Sequence, residues 1–311
     1  MRRLSLTIAV MAIISVFSLW PATAQVNRTW VSGLGDDDNP CSRTSPCKTF
    51  AGALSKTAPG GEIRALDVAD FGAVTITKSI TISSGGVEAG VIVSSGISAI
   101  TVNAGNSDTV VLRGLDIEGL GTGLTGIKVL AAGSVHIENC MINRFTQFGI
   151  DFVPTSATVT TSQLHISNTM IRNNLGASSG GIRIKPGANV SGVGMIENTQ
   201  LRNNHVGLRV EDNSKVTAKN STAASNTTAG FLAVGNTLAA SLNLASCVAI
   251  GNINGVKADL ANATIRVSDC MIAGNTTAGL NTSAGGHIAT FGDVMNADPN
   301  SGTIDPDIPK Q

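Results

Sequence analysis

Short stretches of this chain alternate hydrophobic and polar residues, and tight-turn residues, above all Asn and Gly, separate the stretches. Residues 164–174, Leu-His-Ile-Ser-Asn-Thr-Met-Ile-Arg-Asn-Asn, are nearly repeated by residues 194–204, Gly-Met-Ile-Glu-Asn-Thr-Gln-Leu-Arg-Asn-Asn. Alternation with a period of two predicts β-strands rather than helices. Asn and Gly tolerate the left-handed backbone of tight turns. Each repeat thus predicts one coil of short strands joined by turns.

Three columns of equivalent positions extend the repeat over most of the chain. A leading polar column recurs at steps of 22 to 30 residues, at Gly114, Asn139, Asn168, Asn198, Asn220, Ser246 and Asp269. A second column lies six residues further on, at Asn174, Asn204, Asn226, Asn252 and Asn275, with Phe145 replacing Asn in one coil. A closing Gly recurs at Gly126, Gly149, Gly181, Gly207, Gly230, Gly255 and Gly279. Such periods are typical of solenoids, so we expect stacked Asn side chains to hydrogen-bond from coil to coil.

The pattern aliphatic-x-Ile-x-Asn-x-x-Ile-x-x-Asn, followed by Gly-Ile-x-Val, resembles the right-handed parallel β-helix repeat of the pectin-lyase-like superfamily. The resemblance covers residues 63–291. It implies an all-β fold, a single-stranded right-handed parallel β-helix of nine or ten coils, about 45 Å long at about 4.8 Å per coil. The superfamily includes lyases, hydrolases, epimerases and proteins without known activity, so this fold does not select a function.

Residues 1–24 have the features of a secretory signal peptide. Two arginines precede an apolar run over residues 4–19, and Ala-Thr-Ala follows at 22–24. This arrangement predicts cleavage before Gln25. A membrane anchor is the alternative, but the apolar run is short for a span. We expect an exported protein, periplasmic or extracellular, with no membrane segment once the leader is removed.

Three parts follow the leader: an N-terminal cap at 25–62, the β-helix at 63–291 and a C-terminal tail at 292–311. The tail is rich in Pro, Asp and Asn and is expected to cover the last coil before it frays. An open end of a solenoid invites edge-to-edge association, so both ends need a cover.

A short helix is predicted to cover the first coil. Ser45 and Pro46 precede the apolar residues Phe50 and Leu54, which predicts a capped helix with Pro in its first turn. The helix is expected to end near residues 59–61, Pro-Gly-Gly. The Asp triplet at 36–38 lacks the ligand spacing of a calcium loop and is interpreted as a solvated loop.

Charge excludes some partners. Lys and Arg together number 21, as do Asp and Glu, and charged residues make up only 14% of the chain. No basic run follows the N-terminus, so neither nucleic acid nor an anionic membrane surface is an expected partner. A polysaccharide or a cell-surface glycan fits this composition better, and we expect a monomer.

Export permits disulfides, and the chain has five cysteines. Cys41 and Cys47 lie in one loop, six residues apart, and are expected to be bonded to each other. Cys140, Cys247 and Cys270 each follow the leading polar position, and alternation predicts that they point inward. Cys247 and Cys270 belong to consecutive coils, so the pattern allows either a disulfide or two buried thiols.

Candidate chemistry lies on the strand after each closing Gly, where every second residue should point outward. Down the coils these residues are Lys128, Asp151, Arg183 with Lys185, Arg209 with Glu211, Leu232, Lys257 with Asp259, and Asn281. Stacking should bring them onto one face, about 5 Å apart per coil. In the superfamily that the chain resembles, this sheet commonly lines the saccharide cleft.

A lyase acting on uronates needs a cation to neutralise the substrate carboxylate and a base to remove the neighbouring proton. Arg183, Lys185 and Arg209 could play these parts, with Asp151 or Glu211 as an anchor or metal ligand. The candidate catalytic residues are thus Arg183, Lys185, Arg209 and Asp151. In the alternative interpretation these charges form a solvated face on which opposite charges pair across coils.

Four further residues are assigned to ligand binding: Lys128, Glu211, Lys257 and Asp259. No cofactor is expected, with calcium a possibility only for a lyase. His136 and His165 hold the same position in consecutive coils but lack a third ligand, so no metal site is predicted.

A local match to another enzyme class does not hold up. Residues 181–185, Gly-Ile-Arg-Ile-Lys, resemble the Arg-Ile-Lys motif of polygalacturonases. The adjacent Asp pair and the Gly-His-Gly of that family are missing here, so acid and base cannot be assigned for hydrolysis.

Two functions remain. The first is a non-catalytic exported β-helix that binds polysaccharide or a surface through its long flat faces. The second is a carbohydrate-active enzyme, a polyuronate lyase or an epimerase, that uses the charged column. Sparse carboxylates favour the first. Column residues converging in a groove walled by long loops would favour the second.

Overall fold

A computed structural model describes residues 25–306, so the predicted leader and residues 307–311 of the predicted tail lie outside the described residues. The described chain contains one helix, α1 (Phe50–Lys56). Its strands are, in chain order, β1 (Val26–Val31), β2 (Thr57–Ala65), β3 (Ala69–Asp70), β4 (Val74–Ile76), β5 (Ile80–Ser83), β6 (Ala89–Ile92), β7 (Ile100–Asn103), β8 (Thr109–Arg113), β9 (Leu115–Gly123), β10 (Ile127–Ala131), β11 (Ser134–Glu138), β12 (Met141–Phe145), β13 (Phe148–Phe152), β14 (Thr160–Ser167), β15 (Met170–Arg172), β16 (Gly180–Ile184), β17 (Val190–Glu197), β18 (Gln200–Arg202), β19 (Val206–Glu211), β20 (Ser214–Lys219), β21 (Thr222–Ala224), β22 (Ala229–Val234), β23 (Ala240–Ala245), β24 (Val248–Ile250), β25 (Asn254–Asp259), β26 (Ala263–Ser268), β27 (Met271–Ala273), β28 (Ala278–Ser283), β29 (His287–Thr290) and β30 (Met295–Asn296).

These strands form three sheets, and each complete coil contributes one strand to each sheet. Sheet A has eleven strands, in the order β1-β2-β5-β8-β11-β14-β17-β20-β23-β26-β29. Sheet B has ten, in the order β3-β6-β9-β12-β15-β18-β21-β24-β27-β30. Sheet C has nine, in the order β4-β7-β10-β13-β16-β19-β22-β25-β28. Neighbouring strands are parallel, as in the pairs β11–β14 and β13–β16. The structure confirms the predicted single-stranded right-handed parallel β-helix with a short helix at its start.

An aliphatic interior runs along the coils. Val135 and Ile137 of β11 are fully buried and lie in register with the buried Leu164 and Ile166 of β14. Alternation sends their neighbours to the outer face, as the period-two pattern predicts. Burial of each such side chain contributes about 1.5 to 3 kcal/mol, and nearly all the buried apolar residues belong to one continuous core.

The two Asn columns have different structural roles. Residues of the leading column all have positive φ, from 48° at Asn198 to 70° at Gly114. Their side chains lie at the surface, as those of Asn139 and Asn168 do. This column therefore forms the bends between sheets A and B, where only Gly and a few polar residues adopt left-handed backbone at low cost.

The coil-to-coil ladder of amide side chains is formed by the second column, which is buried. The Asn226 side chain donates to Asn252 Oδ1 at 2.9 Å, and Asn252 donates to Asn275 Oδ1 at 3.0 Å. Each Oδ1 also accepts the backbone N–H of the preceding Asn, as at 3.0 Å from Asn204 to Asn226. The ladder begins where Phe145 N donates to Asn174 Oδ1 at 2.8 Å.

Asp298 ends the ladder in a position where the next Asn would stand. Its Oδ2 accepts both the backbone N–H and the side-chain amide of Asn275, each at 2.8 Å. Desolvation opposes ionisation of Asp298, but the hydrogen bonds from Asn275 and Gly274 hold its pKa below the usual value. The sequence pattern alone did not reveal this terminus.

Closing glycines are required by the spacing of the coils rather than by their dihedral angles. A Cβ on Gly181 would lie 2.6 Å from the carbonyl oxygen of Gly207, and one on Gly207 would lie 2.4 Å from that of Gly230. The backbones of successive coils thus approach too closely here for any side chain, which fixes the start of each strand of sheet C.

The cap differs from the sequence prediction in the helix boundaries. Thr49, not Ser45, is the N-cap, and its hydroxyl accepts the N–H of Gly52 at 2.9 Å. Asp37 anchors this cap, since its carboxylate accepts the N–H and the hydroxyl of Thr49 at 2.9 and 2.7 Å. Pro46 lies in the loop before the helix and is not part of its first turn.

The helix also ends earlier than expected. It stops at Lys56, and residues 59–61 belong to β2. Thr57 explains the early end, because its extended backbone starts β2 and its hydroxyl hydrogen-bonds the Ala53 carbonyl at 2.7 Å. Beside the helix, Cys41 and Cys47 form a disulfide with a Cα–Cα distance of 4.6 Å.

At the other end the chain continues past the last coil and pairs parallel with it, through Asn281 and Ser301. Gly279 N donates to the Pro299 carbonyl at 2.9 Å, and Ser301 N donates to that of Leu280 at 2.9 Å. The segment after β30 thus continues the backbone hydrogen bonding of sheet C past β28. Within residues 25–306, no helix has the length and apolar character of a membrane span.

Candidate functional site

The charged column occupies equivalent positions on the outer face of sheet C. Lys128 is in register with Asp151, Asp151 with Arg183, and Arg183 with Arg209. The column continues through Leu232, Lys257 and Asn281. The alternation of each strand points these residues outward, and the closing glycines set the start of each strand. The residues therefore form a regular row on the outer face of sheet C.

Asp151 and Arg183 form a two-point ion pair across adjacent coils. Arg183 Nε and Nη2 donate to Asp151 Oδ1 and Oδ2 at 2.8 and 3.0 Å. The Asp151 side chain is only 2% exposed. The Arg183 guanidinium also lies over the Phe148 ring, 4.5 Å from its centroid, a contact that the sequence pattern did not indicate. Both carboxylate oxygens of Asp151 are thus occupied and screened from solvent.

Glu211 is held in the same way by two cations. Lys185 Nζ lies 2.9 Å from its Oε2, and Arg209 Nε lies 2.8 Å from its Oε1. The Glu211 side chain is 7% exposed, while that of Lys185 is 50% exposed. The carboxylate therefore serves as the buried anchor of two cations whose outer atoms reach solvent.

The other two assigned binding residues form a looser pair. Lys257 Nζ and Asp259 Oδ2 are 3.9 Å apart, and Asp259 also accepts the hydroxyl of Ser283 at 2.8 Å. A pair this long and this exposed contributes little to stability.

Lys128 is the exception on this face. Within residues 25–306 its amine has no hydrogen-bond or ion-pair partner, and it lines a shallow groove of about 420 Å³ together with Thr75, Thr101 and Leu130. That groove includes no other candidate from the charged column. The residues proposed for catalysis thus lie outside it, on the flatter part of the sheet.

This arrangement limits the chemistry that the column can perform. A general base needs an accessible lone pair, and a cation that stabilises an enolate-like intermediate must be free to approach the substrate. Asp151 and Glu211 are buried behind their cations, and Arg183 and Arg209 each use a guanidinium edge on a protein carboxylate. Hydroxyl groups of a ligand can still reach the exposed atoms of Lys185 and Arg209.

The two stacked histidines lie on sheet A, away from this column. The rings of His136 and His165 are parallel within 8°, with centroids 4.7 Å apart. Burial and then the neighbouring His165 lower the pKa of His136, while Glu138 opposes that shift. No group of three or more His, Cys, Asp or Glu side chains within residues 25–306 is arranged to hold a metal ion.

The remaining cysteines face the interior. Cys140, Cys247 and Cys270 are buried free thiols. The backbone N–H of Cys247 lies 3.3 Å from Cys270 Sγ. Burial raises the pKa of the Cys140 thiol to about 11, which makes it unreactive as a nucleophile.

An acidic groove on sheet B was missed by the sequence analysis. Glu88, Asp116 and Glu118 line it, and burial followed by these two neighbouring carboxylates raises the pKa of Asp116. The signal was weak because the three residues come from two irregular early coils that lack the Asn columns.

No family model and no curated protein matches this chain. Solved structures do resemble it. An alginate lyase from Paenibacillus sp. str. FPU-7 superposes with a TM-score of 0.63 at 15% identity, over 89% of this chain and 99% of that one. The pectate lyase Pel9A superposes with a TM-score of 0.59 at 14% identity, over 90% and 79%. At such identities the likeness concerns the fold alone. The chain is a right-handed parallel β-helix protein of the pectin-lyase-like fold.

Proposed function

We propose that this protein is a non-catalytic β-helix that binds polysaccharide along the outer face of sheet C. The occupied carboxylates carry this proposal: Asp151 and Glu211, which would serve as anchor or metal ligand in a lyase, are buried and fully engaged. A surface whose charges are already paired can hydrogen-bond a ligand without a large desolvation cost.

The face has the shape that an extended chain of sugars would need. Lys185, Arg209 and Lys257 present partly exposed cations along the axis. Lys185 and Arg209 belong to adjacent coils, about 4.8 Å apart, and the coil of Leu232 separates Arg209 from Lys257. Hydroxyl oxygens accept hydrogen bonds from such groups, and a weakly anionic polymer gains from them as well. Repetition along the axis compensates for weak single contacts, because linked sites act together.

The proposal also covers location and assembly. The leader predicted at residues 1–24 would export the chain from the cytoplasm. Polysaccharide is available to it outside. We propose that the exported protein acts as a monomer, and size-exclusion chromatography with light scattering tests this directly.

Binding can be tested with a matched pair of double variants. Lys185→Ala/Lys257→Ala removes two exposed cations from sheet C, while Glu211 keeps its contact with Arg209. Lys215→Ala/Lys219→Ala removes two exposed lysines from sheet A and serves as the control for net charge. Titration calorimetry against a panel of soluble polysaccharides should show weaker binding for the first variant only. Equal loss in both variants, or no heat with any polymer for the native chain, refutes binding at sheet C.

A polyuronate lyase is the second candidate, and the fold of the two solved lyases together with the unpaired Lys128 favours it. The mature chain would be mixed with polyuronates, with and without calcium, while ultraviolet absorbance records any unsaturated product. Arg183→Ala/Arg209→Ala and Lys128→Ala would be run beside it. An absorbance rise that either variant abolishes establishes β-elimination and displaces the binding proposal. A flat trace on every substrate removes the lyase.

A further inference from the structure

A small pocket at the N-terminal cap concentrates positive charge around a tryptophan. The pocket has a volume of about 220 Å³ and is lined by Arg28, Trp30, Arg43 and Arg64, with Gly85 among the other lining residues. It lies on the outer face of sheet A, since Trp30 of β1 is in register with Arg64 of β2. It belongs neither to the sheet C column nor to the groove around Lys128.

Among residues 25–306, a carboxylate balances only one of the three arginines of this pocket. Arg28 is paired with Glu62 at 2.8 Å. Arg64 donates to the carbonyl of Gly85 at 3.2 Å and has no other side-chain partner in the part of the chain that the structure describes. Arg43 has no hydrogen-bond or ion-pair partner within the described chain. Three arginines and one glutamate leave a net charge of two positive units, which favours an anion in the pocket.

The pocket is built by long-range structure rather than by chance proximity of surface chains. The disulfide loop that carries Arg43 is bonded to both backbone groups of Trp30: Trp30 N donates to the Cys41 carbonyl at 2.9 Å, and Cys47 N donates to the Trp30 carbonyl at 3.0 Å. Arg64 is held against Gly85, where a Cβ would come within 2.9 Å of the Arg64 Nε. The cap therefore fixes the backbone that carries Arg43 relative to Trp30, and the Gly85 carbonyl holds the Arg64 guanidinium beside it.

We propose that this pocket binds an anionic sugar unit, with its acidic group on Arg43 and Arg64 and its ring against Trp30. Guanidinium groups bind carboxylates and sulfates with two parallel hydrogen bonds. The half-exposed indole offers a flat apolar surface and one N–H donor, which suits a pyranose with C–H groups on one face and hydroxyls at its rim.

Size and surroundings favour a single acidic sugar over a nucleic acid. The volume lies below the roughly 300 to 1,000 Å³ of pockets for drug-sized ligands, so one ring with its acidic group fits rather than a longer segment. The positive charge also does not continue without interruption along sheet A, because Arg113 of β8 is neutralised by Glu138 at 2.8 Å. A nucleic acid would need a basic stripe that follows its backbone.

Trp30 provides a direct measurement. The whole chain has two tryptophans and no tyrosine, and the other tryptophan, Trp20, lies in the predicted leader. In the chain from Gln25 onward, tryptophan fluorescence therefore comes from this pocket alone. Oligomers of a uronic acid, a sulfated oligosaccharide, a neutral oligosaccharide of similar length and inorganic phosphate would be titrated separately.

The expected result is a saturable change in Trp30 emission with the uronic acid oligomer, the sulfated one or both, and the relative affinities show which acidic group the pocket prefers. Arg43→Ala and Arg64→Ala should each weaken binding roughly tenfold or more, because each loses charge-assisted hydrogen bonds. Arg43 and Arg64 are exposed, so both variants should keep the native circular dichroism and melting temperature.

Arg266→Ala is the matched control, since it removes an exposed arginine from the far end of sheet A. It should bind as the native chain does, and so should Lys185→Ala/Lys257→Ala, which separates this site from the one proposed on sheet C. The proposal fails if no acidic sugar changes the emission, if the neutral oligosaccharide or phosphate binds as tightly, or if Arg266→Ala weakens binding as much as Arg43→Ala.

Discussion

Arg183 donates hydrogen bonds to both carboxylate oxygens of Asp151 in the adjacent coil, and the Asp151 side chain is 2% exposed. The pair joins β13 to β16 by side chains in addition to their backbone hydrogen bonds. It also removes Asp151 from the set of groups that could act on a ligand. These two members of the charged column therefore stabilise the fold by joining adjacent coils.

Arg183→Ala should destabilise the protein by about 3 kcal/mol, because it leaves a buried carboxylate without its counter-charge. The double change Asp151→Leu/Arg183→Met should cost clearly less, since neither charge remains. Urea denaturation followed by circular dichroism measures both. Equal losses in the single and double variants would contradict the assignment of Asp151 as a buried, fully paired group.

The Asn columns offer a second contrast. Asn226→Ala removes an acceptor for Asn204 N and a donor to Asn252, both within the buried ladder, and should cost about 3 kcal/mol. Asn220→Gly should be nearly neutral, because Asn220 is an exposed bend with φ of 50° that glycine adopts readily. Thermal melting compares the two variants, and a large loss from Asn220→Gly would refute the division of roles.

The stacked histidines predict a pH dependence. The pKa of His136 in the folded protein is lowered, by burial first and by His165 second, from its ordinary value of 6.5. Below about pH 6.5, His136 therefore binds a proton more readily in the unfolded chain than in the folded protein. Stability is lost as the pH falls from there towards the lowered pKa of His136 in the folded protein.

His136→Gln should abolish that part of the loss, and His165→Gln should reduce it, since it removes the neighbouring positive charge. Melting temperatures measured on both sides of about pH 6.5 test this. The expectation is wrong if His136→Gln loses as much stability on acidification as the native chain does.

The cap loop yields a fourth prediction. Cys41→Ser/Cys47→Ser opens a loop closed over six residues and should cost about 2 kcal/mol in global stability. Since this loop is bonded to both backbone groups of Trp30, the emission maximum of Trp30 should shift to the red as its surroundings loosen. Cys140→Ser, in the interior, should leave the emission unchanged. No shift in the double variant would show that the loop holds its position without the disulfide.

Much of the fold could be predicted because a coil repeats one local rule. Alternation around Val135 and Ile137 gives the inward face, and each closing Gly gives the start of a strand on sheet C. Those rules also place Lys128, Asp151, Arg183 and Arg209 in one row.

Other features depend on contacts that a repeat does not encode. Asn198 and Asn204 are the same residue type, yet Asn198 is an exposed bend with positive φ and Asn204 is a buried ladder position, a difference that the residue type does not encode. The pairing of Arg183 with Asp151 spans 32 residues, so it depends on the length of the intervening turns. The start of α1 depends on the N-cap residue Thr49, whose backbone and hydroxyl hydrogen-bond to the distant Asp37.

The side-chain ladder also gives the solenoid an internal boundary. From Asn174 to Asp298 each coil shares buried amide hydrogen bonds with the next, so no coil in that span can open without breaking the bonds of its neighbours. The coils before Phe145 lack this second set of bonds and depend on their backbone pairing and on the cap. We therefore expect this stack of otherwise similar units to open as two separate blocks, with amide hydrogen exchange uniformly slow in the later block and graded in the earlier one.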